Sequence, residues 1–190
     1  MKQIFSLTHD GHEVLPTIVY LYDTSALMRL LRPQEYFACL ESNGGASYLD
    51  RIGLAVHQKR IRKIPITLNV YEELCQMSNG YWNNPYRRPI FCEVEDDNSE
   101  KPSELIILKI PEEEFAKAPY SLIPRRIGPI DLSLAIGANI LKERQRRNVK
   151  IVTNDGDFDR IKFHFHNAGY DELTEFVIKR PPEFVAELNL

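Results

Sequence analysis

The chain has few cysteines and no long apolar run. Its 190 residues include three cysteines, an odd number without a CxxC pair, which suits neither a disulfide framework nor a zinc site. No stretch of 18 successive apolar residues occurs, and the amino-terminal residues lack an apolar segment long enough for a signal peptide. These absences predict a protein of a reducing compartment, the cytoplasm, without a membrane partner.

A strong charge of one sign is also missing. The formal net charge is -3 at pH 7, from 24 basic and 27 acidic residues. A nucleic-acid partner would therefore have to be held by local basic patches. Hydrophobic residues make up 43% of the chain, as in ordinary globular proteins, and the length suits one substantial core. We therefore expect a single domain over residues 1–190.

Strand-like and helix-like segments alternate along the sequence. The predicted strands are IVYLY, IPIT, ELIILKI, VKIVTN and TEFVIKR, with KFHFH as a further one in which His164 and His166 share a polar face. Between them lie the helical patterns ASYLDRIGLAVHQKR, LNVYEELCQM and IDLSLAIGANILKERQRR. This alternation predicts an α/β fold, a three-layer sandwich with a mostly parallel central sheet.

Three regions depart from that alternation. Residues 1–16 carry two semi-alternating runs around Asp10-Gly11, which predicts a hairpin. Residues 81–111 are expected to be an irregular insertion, and residues 164–190 a C-terminal extension. The insertion contains an acidic stretch at residues 93–104, with six acids and one lysine, a pattern typical of a solvated loop.

Four acidic residues stand at the edges of apolar segments: Asp23, Glu73, Asp131 and Asp155. Asp23 and Asp155 each follow a predicted strand, and parallel sheets present binding groups at the carboxyl ends of their strands. The other two lie on predicted helices that could bring them to the same edge. Convergence of four carboxylates would favour a hard divalent cation, because their mutual repulsion strains an empty site.

Each acid also has a simpler structural interpretation. Asp23 could cap the helix that follows it, and Asp131 could favour the positive end of its own helix. Asp155 and Asp157 could be turn residues around Gly156. Glu72, rather than Glu73, could be the inward-facing member of its pair.

The motifs DTSAL, an EL pair six positions after a Thr cap, DLSLAIGA and VTNDGDF occur in this order. Together they resemble the PIN-domain nucleases, which include the VapC-type toxins, over residues 18–163. The resemblance implies catalysis by Asp23, Glu73, Asp131 and Asp155. It also implies Mg²⁺ or Mn²⁺ on these residues and on Asp157, with Thr24, Ser25 and Thr153 as supporting hydroxyls.

The implied activity is hydrolysis of phosphodiester bonds in RNA. The setting would be a toxin held by an antitoxin or an RNA-processing nuclease, and a homodimer is a family expectation. The terminal and central extensions distinguish this chain from the small toxins. The alternative is a catalytically silent PIN-like module that binds RNA or protein.

RNA would also need cations near the acidic edge. Arg87 and Arg88 stand among Tyr81, Trp82 and Tyr86, and basic with aromatic side chains are typical of sites for single strands. A loop packed on the fold is the alternative for that segment. Arg125 and Arg126 precede the Asp131 helix, and their planar guanidinium groups suit phosphate.

Overall fold

A computed structural model describes residues 2–6, 15–27, 47–57, 60–80, 104–117 and 127–190. The strands of these ranges are β1 (Lys2–Ser6), β2 (Ile18–Tyr22), β3 (Lys63–Thr67), β4 (Glu104–Lys109), β5 (Asn148–Val152) and β6 (Val177–Lys179). The helices are α1 (Thr24–Leu27), α2 (Tyr48–His57), α3 (Leu68–Gly80), α4 (Glu112–Lys117), α5 (Pro129–Gln145), α6 (Asp157–Asn167) and α7 (Pro181–Glu187). A 3₁₀ helix covers Asp171–Thr174.

All recorded strand pairs are parallel. Hydrogen-bonded ladders join the strands in the orders β1-β4-β3 and β2-β5-β6. β2 lies next to β3, so the strands follow one another across the molecule as β1-β4-β3-β2-β5-β6. The predicted α/β class with a mostly parallel sheet is confirmed.

The sheet is covered on both faces. Successive residues of β3 (64–67) and of β4 (105–108) are all buried, although neighbouring side chains of a strand point to opposite faces. Helix α5 buries every residue from Leu132 to Ala138, as expected for its wide apolar arc, and contacts β3 and β5. Helices on both sides of a parallel sheet make the three layers that the sequence predicts.

The neighbours β2 and β5 send the chain in opposite directions. After β2 the chain continues to β3 on one side, and after β5 it continues to β6 on the other. Such a reversal opens a crevice at the carboxyl ends of the two strands, where open α/β sheets bind ligands. The last residues of the strands, Tyr22 and Val152, are register partners. Asp23 and Thr153, which follow these two residues, therefore lie side by side at the crevice.

The prediction of a strand at KFHFH is wrong. Those residues lie in α6, whose buried side chains Phe158, Ile161 and Phe165 recur at helical spacing. The short alternation of Phe and His imitates a strand, but the longer helical period determines the structure because it buries three large apolar groups on one face. His164 and His166 consequently do not form a strand face; the first is half-buried and the second is exposed.

Of the three unusual regions, the first two are described in part and residues 164–190 in full. β1 pairs in parallel with β4 of the main sheet, while the Asp10-Gly11 turn of the expected hairpin lies outside the described residues. Of the expected insertion, residues 104–111 are described, and 104–109 form β4 inside the sheet. Residues 164–190 contribute β6 and α7. No helix of the described ranges is long and apolar enough to cross a membrane.

Candidate acidic site

Asp23 is the most enclosed of the acidic residues at the crevice, with 4% of its surface exposed. Its Oδ1 accepts the backbone N–H of Thr24 at 2.7 Å, and its Oδ2 accepts the hydroxyls of Ser25 at 2.5 Å and Thr153 at 2.8 Å. Three donors hold the carboxylate in one orientation. The backbone N–H of Asp23 also bonds to Val152 O at 3.0 Å, which locks its main chain to the end of β5.

Thr153 links the two strand ends. Its side chain is fully buried, and its Oγ1 donates to Asp23 while accepting the backbone N–H of Asp155 at 2.9 Å. Ser25 Oγ lies 3.3 Å from the same oxygen and accepts the N–H of Asn154 at 3.0 Å. A single hydroxyl thus couples the carboxylate after β2 to the loop after β5.

The loop after β5 presents two further carboxylates. Asp155 Oδ1 accepts the backbone N–H of Asp157 at 3.0 Å, in the first turn of α6. Asp157 Oδ1 in turn accepts a hydrogen bond from Arg160 at 2.8 Å. Asp155 therefore does contribute to the turn, as its simpler interpretation states, while it also stands at the carboxyl end of a central strand.

Glu73 reaches the site from α3. The helix begins directly after β3, where Thr67 Oγ1 accepts the N–H of Val70 at 3.4 Å as a cap. One and a half turns later, Glu73 Oε2 accepts the hydroxyl of Thr24 in a short hydrogen bond. Glu73 is half-buried, whereas Glu72 is exposed. Of the two neighbouring glutamates, Glu73 is the one whose carboxylate contacts a residue of the crevice.

Asp131 arrives on the first turn of α5. Thr67 and Ser133 share a hydrogen bond of 2.7 Å, which fastens the start of α5 to the end of β3. Burial is the largest cause that raises the pKa of the Asp131 carboxyl to about 7, and the negative charges of Asp23, Asp155 and Asp157 contribute to the same increase. A backbone hydrogen bond from Gly128 acts in the opposite direction. The three carboxylates are thus close enough to Asp131 to disfavour its ionisation.

The geometry brings most of the expected residues to one crevice: Asp23, Thr24, Ser25, Glu73, Asp131, Thr153, Asp155 and Asp157. Within the ranges that the structure describes, no three carboxylate, imidazole or thiol side chains are grouped closely enough to hold one metal ion directly. The expected RNA contacts Arg87, Arg88, Arg125 and Arg126 lie outside those ranges, as do Tyr81, Trp82 and Tyr86.

Two arginines at the crevice were missed by the sequence reasoning. Arg160 contacts Asp157, and the Arg180 guanidinium donates to the backbone oxygen of Asp155 and to the Asp159 carboxylate. Arg160 could have been found, because it lies three positions after Asp157 on a helix. Arg180 has no local signal, since its position depends on the pairing of β5 with β6.

No protein-family model matches the sequence, and no curated protein matches it significantly.

Proposed function

We propose that this chain is a metal-dependent phosphodiesterase of the PIN type that cleaves RNA internally. The observation that carries the proposal is the position of Asp23 and Asp155 after two neighbouring parallel strands at the reversal of the sheet. After burial, the negative charges of Asp23 and Asp155 are the main causes of the raised pKa of Asp131, which supports a shared site. Carboxylates gathered at such a crevice repel one another, and a bound cation offsets that repulsion.

The donor set fits Mg²⁺ or Mn²⁺. Asp23, Glu73, Asp131, Asp155 and Asp157 offer only carboxylate oxygens, which these hard cations prefer. Mg²⁺ keeps several of its waters, so a loose arrangement of carboxylates can hold it without a direct cage of three side chains. When bound, the ion would lower the pKa of a water and stabilise the negative charge that develops on the phosphoryl oxygens.

The hydroxyl residues of the chain supply orientation. Ser25 and Thr153 hold one oxygen of Asp23, and Thr24 holds Glu73. Pre-oriented carboxylates lose less conformational freedom when a ligand binds, which is how supporting hydrogen bonds increase metal affinity. In the proposed site, Thr24, Ser25 and Thr153 therefore support the ligands and do not contact the scissile phosphate.

RNA is the proposed substrate, and its phosphates would need cations beyond the acidic crevice. The proposed contacts are Arg87, Arg88, Arg125 and Arg126, because arginine forks bind phosphate and the first pair has aromatic neighbours for stacking. A toxin restrained by an antitoxin and an RNA-processing nuclease both agree with this chemistry. A homodimer and a cytoplasmic location belong to the same proposal.

The experiment is a cleavage assay with purified protein and labelled single-stranded RNA, with and without added Mn²⁺. We expect cleavage that requires the metal and that Asp23→Asn abolishes. Asp50→Asn is the matched control, because Asp50 is also buried but bonds to Ser47 at the start of α2. Circular dichroism checks that each variant is folded. Equal cleavage by wild type and Asp23→Asn would refute the assignment.

The second candidate is a silent module that binds RNA without hydrolysing it. It is favoured by the lack, within the described part of the chain, of three side chains grouped to hold one metal. Wild-type protein that binds RNA in a gel-shift assay, yet leaves diverse RNAs intact at all Mn²⁺ and Mg²⁺ concentrations, would establish this candidate instead. Parallel reactions with single-stranded DNA test the choice of nucleic acid.

A further inference from the structure

The carboxyl end of β6 lies beside the candidate acidic site. β6 pairs in parallel with β5, with Lys179 opposite Val152, and the backbone N–H of Thr153 bonds to Lys179 O at 3.1 Å. Arg180 is the first residue after β6, just as Asp23 and Thr153 are the first residues after their strands. The C-terminal segment therefore reaches the same edge of the sheet as the acidic residues.

The Arg180 guanidinium holds the loop after β5 at two points. One terminal nitrogen donates to the backbone oxygen of Asp155, and the other donates to the carboxylate of Asp159. These two acceptors lie on either side of Asp157 in the sequence. The loop is thus held by the Thr153 hydroxyl, which accepts the N–H of Asp155, and by Arg180, which donates to the carbonyl of Asp155.

The backbone of Arg180 is itself well anchored. Its N–H donates to Glu183 Oε2 at 3.2 Å, and its carbonyl accepts the N–H of Phe184 at 2.9 Å, so that α7 starts from this residue. Phe184 is fully buried, with its ring 5.1 Å from that of Tyr20 and 5.7 Å from that of Tyr22. Because α7 is packed against β2 in this way, Arg180 is a fixed support for the loop.

We infer that Arg180 is a positioning residue that orders the loop bearing Asp155 and Asp157, and that the C-terminal segment 177–190 thereby completes the candidate site. As far as metal and RNA are concerned, the inference rests on the proposed function. The two acceptors of Arg180 are 25 and 21 residues away in the sequence, so the support that Arg180 gives to the loop depends on tertiary structure. Arginine suits it because a planar fork can serve two acceptors at once, whereas the lysine ammonium is a compact point charge.

The first arm of the test needs no metal. Amide hydrogen exchange, followed by NMR in the presence of EDTA, compares wild type with Arg180→Ala and Arg180→Lys. We expect the amides of Asp155 and Asp157 to exchange about tenfold faster in Arg180→Ala, since hydrogen bonds of a charged donor are lost. The lysine variant should be intermediate. Glu187→Gln is the control, because Glu187 lies in the same C-terminal segment as Arg180. The substitution removes the ion pairs of Glu187 with Lys150 and Lys179 and leaves Arg180 intact.

The second arm uses Mn²⁺ titration by calorimetry and RNA cleavage kinetics. We expect Arg180→Ala to bind Mn²⁺ about ten- to hundredfold more weakly, as when outer supports of metal ligands are removed. At saturating Mn²⁺, kcat should fall while KM for RNA stays constant, because Arg180 orients the loop and does not hold RNA. Global stability from urea unfolding separates this effect from loss of the fold.

The outcomes of the two arms are distinct. Unchanged exchange at Asp155 and Asp157 in Arg180→Ala overturns the inference, even if the wild type is an active nuclease. A raised KM with unchanged kcat also overturns it, because Arg180 would then contact RNA directly. Wild-type protein that neither binds Mn²⁺ nor cleaves RNA refutes the proposed function, while the exchange arm still decides whether Arg180 orders the loop.

Discussion

The hydroxyl of Thr153 donates to Asp23 Oδ2 at 2.8 Å across two neighbouring parallel strands. The bond is fully buried and joins residues that are 130 positions apart in the sequence. It fixes the orientation of the innermost carboxylate of the crevice. It also makes the geometry of the candidate site depend on the pairing of β2 with β5.

Thr153→Val should therefore destabilise the protein without changing the size of the side chain. Loss of the hydroxyl removes one donor from Asp23 and leaves the N–H of Asp155 without its acceptor, so we expect a loss of about 1–3 kcal/mol in the free energy of unfolding. Urea denaturation measures it. Thr153→Ser, which keeps the hydroxyl, should lose less, and equal stability of the valine variant and wild type would contradict the assigned role.

Substitution of the neighbouring glutamates distinguishes which one serves the site. Glu73→Gln should lower the rate of Mn²⁺-dependent RNA cleavage about ten- to hundredfold, whereas Glu72→Gln should stay within about twofold of wild type. The reason is that Glu73 bonds to Thr24 at the crevice while Glu72 is exposed. A larger effect of the Glu72 substitution would show that Glu72, and not Glu73, serves the site. Initial rates at saturating RNA provide the measurement.

Asp131 should make the metal-free protein less stable as the pH rises. Its folded-state pKa of about 7 lies above the ordinary value of 3.8, so the folded state loses stability as the pH increases from about 4 to about 7. Asp131→Asn should remove this loss and raise the free energy of unfolding at pH 8 by about 1–2 kcal/mol, a value reduced for solvent screening of a half-buried group.

Thermal or urea unfolding in EDTA at pH 4 and pH 8 tests the Asp131 prediction. The variant and wild type should be similar at pH 4, where the carboxyl is protonated in the folded state. Glu113→Gln, a change at an exposed carboxylate of α4, is the control for removal of one negative charge. A variant no more stable than wild type at pH 8 would show that burial and the neighbouring carboxylates do not raise the pKa of Asp131 in the folded state.

The fold class followed from local patterns because the central strands are short apolar runs and the helices between them carry apolar residues at helical spacing. α5 was predictable from its wide apolar arc, and α3 from the Thr67 cap. α6 was not, because Phe-His alternation at residues 163–166 resembles a strand locally, whereas its helical face extends from Phe158 to Phe165. In this case the longer pattern buries more apolar surface and prevails.

The candidate site was predictable where an acidic residue follows a strand within a few positions and much less so elsewhere. Asp23 and Asp155 carry that signal in the sequence itself. Arg180 does not, because only the pairing of β6 with β5 brings it to Asp155. The shared hydroxyl of Thr153 is an intermediate case: its position was expected, but its two simultaneous partners depend on the register of β2 and β5.

The strand order also governs when the acidic crevice can exist during synthesis of the chain. β2 can pair with β5 only after β5 has been synthesised, and the loop after β5 can be held only after the C-terminal segment that carries Arg180 has been synthesised. Thr153 lies 130 positions after Asp23, and a segment of that length takes on the order of ten seconds to translate. Until β5 has been made, Asp23 lacks the Val152 carbonyl and the Thr153 hydroxyl that hold it, so the acidic crevice cannot form completely before the chain has been synthesised past Arg180.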